Sequence, residues 1–139
     1  MEAIYNQNED KIQLKTNRNI TKKNKLNKKN DILILDKIIE KNNINYALLH
    51  CISEYPASYK NLNLDYINIL KKNFPKAVVG YSDHSIGITP CISALAKGAC
   101  IIEKHFTLNK FQKGADHTIS LEPEEFELMV KKIRITERM

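Results

Sequence analysis

Three short apolar runs, each followed at once by polar residues, constrain the fold more than any other feature of this sequence. The runs lie at 46–51, 77–82 and 99–106 and read YALLHC, AVVGYS and ACIIEKHF. Near-continuous apolar runs of this length are typical of strands that are buried on both faces of a parallel sheet. We therefore predict three parallel strands and expect the functional residues at their carboxyl ends.

Helical periodicity occupies the intervals between these runs. Apolar residues recur at helical spacing in 61–74, and a short helix is predicted to open at Pro90 and close at Gly98. A further helix is predicted over 31–41, and a last one begins in the acidic segment 120–125, a charge placement that suits the helix dipole. The alternating order of helices and strands predicts the α/β class, built from βα units.

The first 30 residues differ from the rest in composition. They are rich in Asn and Lys, show neither period 2 nor period 3.6, and carry a net charge of +5, whereas residues 31–139 carry +1. We predict a disordered head over 1–30 and one α/β domain over 31–139. Because the excess positive charge is confined to the head, nucleic acid is not expected as a partner.

Hydropathy and cysteine usage indicate a cytoplasmic protein without a membrane partner. There is no run of about 18 apolar residues, and the opening segment lacks the apolar stretch of a signal peptide. The three cysteines, Cys51, Cys91 and Cys100, show no CxxC spacing, which argues against a disulfide framework and against a zinc knuckle. We expect reduced, mostly buried thiols, with Cys100 in the core.

Polar side chains at the three strand ends can share one face of the sheet. Side chains alternate along a strand and neighbouring strands lie about 4.8 Å apart, so residues of equal parity can meet. The pairs are Ser53 with Tyr55, Ser82 with His84, and Glu103 with His105. Two imidazoles would leave open positions on a divalent ion, which suits polarising a substrate oxygen. Alternatively, each histidine is a hydrogen-bonded core or loop residue, and that structural role is favoured for His50.

Four linked segments resemble a known enzyme family in order and spacing. LLHCISEYP, VGYSDHSIGI, IIEKHFTL and KGADHTISLEPEEFELMVKKIR are similar to the carboxyl-terminal half of the barrel in the N-acetylneuraminate (sialic acid) synthase family, which includes legionaminate and pseudaminate synthases. The resemblance covers about residues 32–138. It implies a partial TIM (β/α)8 barrel of about the last three βα units. It also implies a transferase that condenses phosphoenolpyruvate with an N-acylated mannosamine-type sugar, releasing phosphate and forming a nine-carbon 2-keto acid.

The resemblance also implies roles for individual residues. His84 and His105 match ligands of a divalent metal, usually assigned as Mn²⁺, and Asp116 matches an acidic residue that contacts the metal-bound water or the sugar. Ser82 and Tyr55 match residues of the phosphoenolpyruvate pocket. Ser53 stands where some members carry Asn. The implied catalytic set is Asp116, His84 and His105, and the implied substrate-binding set is Ser53, Tyr55 and Ser82.

Departures from the family pattern leave alternatives open. An early-strand Glu, the lysines that grip phosphoenolpyruvate and a Ser-Thr-Gly segment have no match in this sequence, so we expect a truncated chain. A start-site error, a disrupted gene and a split enzyme would each produce it. The expected protein partner is a second copy or a polypeptide carrying the missing half of the barrel. A non-catalytic remnant or interaction module, and a metal-binding regulatory domain, remain alternatives, and the particular sugar acid stays open.

Overall fold

The computed structural model describes residues 2–6, 37, 41 and 45–139. Lys37 and Lys41 are helical, whereas the rest of the helix predicted over 31–41 lies outside the described residues. Apart from these two helical residues, the described part contains four strands and three α-helices. The strands are β1 Glu2–Asn6, β2 Ala47–Cys51, β3 Val78–Asp83 and β4 Ile101–His105. The helices are α1 Tyr66–Asn73, α2 Thr89–Ala96 and α3 Pro123–Thr136.

The strands form one sheet in the order β1-β4-β3-β2. Strands β2, β3 and β4 are parallel, with Cys51 opposite Ser82 and Ser82 opposite Glu103. The predicted α/β fold with three parallel strands is therefore confirmed. It follows that the carboxyl ends of β2, β3 and β4 lie side by side at one edge of the molecule.

Strand β1 lies within the Asn/Lys-rich head, where no regular element was predicted. It pairs antiparallel with β4, from Glu2 opposite His105 to Asn6 opposite Ile101. Pairing with an edge strand uses backbone N–H and C=O groups, which every sequence carries, so it needs no apolar alternation. Residues 7–30 of the predicted disordered head lie outside the described residues.

The core lies between the parallel strands and the helices. On the sheet, Val79, Tyr81 and Ile102 point into it, so every second residue of β3 and β4 faces the helices. The helices contribute Ile67, Leu70, Cys91, Ala94, Met129 and Ile133. Fully burying an aliphatic or aromatic side chain of this size stabilises the fold by about 1.5–3 kcal/mol. The residues between these, such as Ser82 in β3 and Glu103 in β4, point to the opposite face of the sheet.

Two glycines have conformational or steric roles that a larger residue could not fill. Gly98 follows α2 with φ +90°, and its N–H donates to the Leu95 carbonyl at 2.7 Å, which confirms that it closes the predicted helix. Gly80 lies in β3 against β4. A Cβ atom there would stand 2.7 Å from the Ile101 Cβ and 2.8 Å from the Ile101 carbonyl oxygen. The close approach of these two strands therefore requires glycine.

Helix α3 begins as its acidic segment predicts and is tied to the loop after β4. The Glu125 carboxylate accepts a hydrogen bond from the Glu122 N–H at 2.9 Å and another from the Lys110 ammonium at 2.6 Å. Partial burial would raise the pKa of Glu125, but these hydrogen bonds outweigh it and lower the pKa. Within the described part of the chain, no helix has the length and apolar character needed to cross a bilayer.

Candidate functional site

Two histidines meet where β3 and β4 end. His84 directly follows β3 and His105 is the last residue of β4, and each is only 5% exposed. Their ring centroids lie 5.2 Å apart and the rings are nearly perpendicular, at 79°. The preceding residues, Asp83 and Lys104, are opposite each other in the sheet. The structure therefore brings together the two residues that the sequence places at matching strand ends.

The hydrogen bonds of His84 fix which ring nitrogen carries the proton. Its Nδ1 lies 2.8 Å from the Ile52 carbonyl oxygen, which can only accept, so Nδ1 donates and, in the neutral imidazole, Nε2 keeps its lone pair. The Tyr55 hydroxyl lies 3.2 Å from Nε2 and can donate to it. A backbone carbonyl that fixes the tautomer in this way is typical of metal-binding histidines. Nε2 could therefore coordinate a metal only in place of the Tyr55 hydrogen bond.

His105 has an acidic neighbour from the loop that follows β4. The Asp116 Oδ2 lies 3.8 Å from the His105 Nδ1, within ion-pair range but longer than a hydrogen bond, and the Asp116 side chain is 45% exposed. Among the residues that the structure describes, no group of three or more His, Cys, Asp or Glu side chains is arranged to hold a metal. Asp116 therefore lies at the edge of the histidine pair.

Ser82 and Glu103 lie on the sheet face that also carries His84 and His105, two residues before each histidine. They are opposite each other in the sheet, both are buried, and the Ser82 hydroxyl donates to Glu103 Oε1 at 2.8 Å. Sequence reasoning placed Glu103 on this face without assigning it a role. Its alternation with His105, two residues along β4, is the signal that could have identified it. Ser82 is engaged in orienting this carboxylate as well as lining the site.

The loop after β2 carries Tyr55 to the histidine pair. The Ala57 N–H donates to the His84 carbonyl at 2.9 Å, which fastens this loop to the end of β3. The Tyr55 ring centroid lies 4.2 Å from that of His84 and 5.9 Å, edge-on, from that of His105. Ser53 is exposed and lies next to the Cys51 thiol. The structure therefore brings Tyr55 into the site and leaves Ser53 at its exposed border.

The predicted burial of the thiols is wrong for two of them. Cys51 and Cys100 are exposed, and Cys91 is buried. Strand β4 begins only at Ile101, so Cys100 precedes the strand and does not face the core. Cys51 shares the parity of Tyr55, and its Sγ lies 3.6 Å from the His84 Nδ1. Desolvation raises the pKa of Cys91, and it also raises that of Cys51, which is exposed as a residue but whose Sγ lies against His84, so neither is a ready thiolate.

The structural role predicted for His50 agrees with its contacts. Its Nε2 lies 2.6 Å from the Leu62 carbonyl oxygen, and its ring packs against Tyr66 and Tyr81 at centroid distances of 5.4 and 5.9 Å. His50 has the opposite parity to Ser53 and Tyr55, which follow β2. It therefore anchors the segment before α1 and does not join the histidine pair.

A buried ion pair lies beneath the histidines, on the helix-facing side of the sheet. The Lys104 ammonium lies 2.8 Å from Asp83 Oδ2, and both side chains are 0% exposed. Burial would raise the pKa of Asp83, but the charge and hydrogen bond of Lys104 and the hydrogen bonds of Ser85 outweigh it and lower the pKa. Burial and the adjacent carboxylate raise the pKa of Tyr81 far above its usual range, so its hydroxyl stays protonated.

Comparison with known proteins identifies the family. The family model described as the NeuB family matches residues 9–139, nearly the whole chain. The chain belongs to the NeuB family. This confirms the resemblance to sialic acid, legionaminate and pseudaminate synthases that the four sequence segments carry.

Individual NeuB-family relatives cover the same region of the chain. An N,N'-diacetyllegionaminic acid synthase from Campylobacter jejuni is 51% identical over 90 residues, which are 65% of this chain and 27% of that protein. The human N-acetylneuraminate-9-phosphate synthase is 42% identical over 101 residues, 73% of this chain and 28% of that protein. A crystal structure of an N-acetylneuraminic acid synthetase from Leptospira borgpetersenii matches with a TM-score of 0.74 and 38% identity, covering 78% of this chain and 38% of that one. This NeuB-family chain thus spans between 27% and 38% of the length of these relatives.

Proposed function

We propose that this chain forms the metal-binding sector of a sialic-acid-synthase-type active site, in a partial TIM barrel of about three βα units. The reaction is the condensation of phosphoenolpyruvate with an N-acylmannosamine-type sugar to a nine-carbon 2-keto sugar acid, with release of phosphate. The observation that carries the proposal is the histidine pair, two nearly buried imidazoles 5.2 Å apart at adjacent strand ends. Relatives named as legionaminic acid and N-acetylneuraminate-9-phosphate synthases support it.

His84 and His105 are the residues that would hold a divalent metal, which we take to be Mn²⁺. The site fits such an ion because the Ile52 carbonyl accepts a hydrogen bond from His84 Nδ1, so that Nε2 is the atom that would coordinate the metal. Two imidazoles with oxygen donors nearby suit Mn²⁺ and other divalent ions. When bound, the metal would supply a Lewis acid that polarises the sugar aldehyde.

The other residues of the site would bind and orient the substrates. The Tyr55 hydroxyl lies 3.2 Å from the His84 Nε2, and from this position it could donate to a carboxylate or phosphate oxygen of phosphoenolpyruvate. Ser82 donates to the Glu103 carboxylate, which would lie beneath the reacting groups. Asp116, half exposed beside His105, would orient the water that adds at C2. Ser53, at the exposed border, would contact the outer part of a substrate.

The rest of the active site would come from residues beyond this region. Further polypeptide would supply the remaining walls of the barrel, either a partner carrying the other strands or a second copy of the chain. The proposed setting is the cytoplasm, where phosphoenolpyruvate and amino sugars are available, with no role for nucleic acid or membrane.

Metal binding by the 139-residue chain tests the proposal directly. The chain is titrated with Mn²⁺ and the bound ion is counted by atomic absorption after gel filtration. We expect one Mn²⁺ per chain, and its loss in His84→Ala and in His105→Ala. His50→Gln is the matched control because His50 lies outside the pair, and it should retain the ion. Equal metal content in all four proteins would remove the proposal.

A second candidate is a non-catalytic remnant or interaction module of the same family. The two candidates are separated by assaying phosphate release from phosphoenolpyruvate with N-acetylmannosamine and Mn²⁺, in the presence of a polypeptide carrying the other strands. Release supports the synthase. Metal binding without release in any such mixture supports the remnant.

A further inference from the structure

The buried ion pair is joined directly to both histidines through the backbone. Asp83 precedes His84, Lys104 precedes His105, and Asp83 and Lys104 are opposite each other in β3 and β4. Because side chains alternate along a strand, the ion pair points towards the helices and the imidazoles point to the other face. A shift of β3 along β4 would therefore displace Asp83 relative to Lys104 and His84 relative to His105 by the same amount. The ion pair therefore lies at the point of the sheet that determines how far His84 is displaced along the strands relative to His105.

The Asp83 carboxylate also holds the backbone on the far side of His84. Its Oδ1 accepts from the Tyr81 hydroxyl at 2.9 Å and from the Ser85 N–H at 3.0 Å. The Lys104 ammonium in turn donates to the Ser85 carbonyl oxygen. Asp83 and Ser85 flank His84, so one buried network fixes the chain on both sides of this histidine and links it to β4.

Stability alone gives no sufficient reason for such a pair. Taking two charges out of water costs about as much as their attraction returns, and apolar pairs of similar volume are often equally stable or more so. The ammonium and carboxylate do, however, have directional partners that an apolar pair would lack. An ion pair of this kind contributes more to a single defined geometry than to the free energy of unfolding.

We propose that Asp83 and Lys104 are positioning residues, which hold His84 and His105 at the separation that a shared divalent metal requires. This inference rests on the proposed metal site. It deepens that proposal by assigning the geometry of the site to groups that never touch the metal or the substrates. Misplacement of ligands by about 0.5–1 Å is enough to weaken a site of this kind.

The test is to replace the ion pair by an apolar pair and measure stability and metal affinity separately. In Asp83→Leu/Lys104→Met we expect a folded protein whose melting temperature lies below that of the wild type, because the buried Tyr81 hydroxyl and Ser85 N–H lose their acceptor. The Kd for Mn²⁺, read from the electron paramagnetic resonance signal of the free aqueous ion, should rise about tenfold or more. Asp65→Leu/Lys97→Met is the matched control, since this pair is exposed, and its Kd should stay unchanged.

The possible outcomes separate this inference from the proposal beneath it. A folded Asp83→Leu/Lys104→Met variant with wild-type Kd would overturn the positioning role while leaving the histidine site intact. A wild type that binds no Mn²⁺ would overturn both. If the double variant does not fold, Tyr81→Phe decides, because it removes one hydrogen bond to the carboxylate. We expect its Kd to rise about three- to tenfold, and an unchanged Kd would overturn the inference.

Discussion

Replacing Lys104 should destabilise the fold far more than replacing the lysine of an exposed ion pair. Lys104→Met leaves the Asp83 carboxylate at 0% exposure without its cation. Removing one partner of a buried pair typically costs about 3–5 kcal/mol, because the remaining charge is desolvated and unpaired. Asp83 keeps its hydrogen bonds from Tyr81 and Ser85, which places the expected loss near the lower end of this range. Small domains are stable by about 5–15 kcal/mol, so the effect is easily measured.

The assay is urea unfolding at pH 7, followed by circular dichroism. With a slope of about 2 kcal/mol per molar urea, a loss of about 3 kcal/mol lowers the midpoint by about 1.5 M. Lys97→Met is the matched control, since its side chain is 41% exposed and that of its partner Asp65 is 72% exposed. It should lose less than about 1 kcal/mol. A loss for Lys104→Met no larger than this control would refute the reasoning.

Three further predictions concern the sheet, the pH dependence and the site. Gly80→Ala should destabilise the fold by about 1–3 kcal/mol in thermal melts, because the new Cβ overlaps Ile101; an unchanged melting temperature would contradict this. The pKa of Asp83 is lowered on folding, so its contribution to stability is present above about pH 4 and is lost as the pH falls below it; urea midpoints measured from pH 7 to pH 2.5 should fall more steeply than in a variant with the apolar pair. Tyr55→Phe removes a hydroxyl that competes for the His84 Nε2, so calorimetry should show Mn²⁺ affinity equal to or above that of the wild type.

Much of the fold could be predicted because buried parallel strands require apolar side chains on both faces. The runs at 46–51 and 77–82 correspond to β2 and β3 within one residue at each end, and Gly98 ends α2 as predicted. Strand β1 could not be predicted in this way, because its pairing with β4 depends on backbone groups and not on side-chain alternation.

The site could be predicted where it depends on parity within a strand and not where it depends on register between strands. Alternation was enough to place His84 and His105 on one face. It could not show that Ser82 donates to Glu103, because that hydrogen bond depends on which residues of β3 and β4 stand opposite each other. The Asp83–Lys104 pair was missed for the same reason, since each is only a polar residue at a strand end until the register is known.

Nitrogen coordination of a bound metal is the most direct test of the central claim, that His84 and His105 share one ion. The measurement is electron spin-echo envelope modulation of the 139-residue chain loaded with Mn²⁺. We expect ¹⁴N couplings from two imidazoles in the wild type, reduced to one in either His84→Ala or His105→Ala at saturating metal. A spectrum without ¹⁴N coupling, or one that both substitutions leave unchanged, would contradict a metal site at this histidine pair.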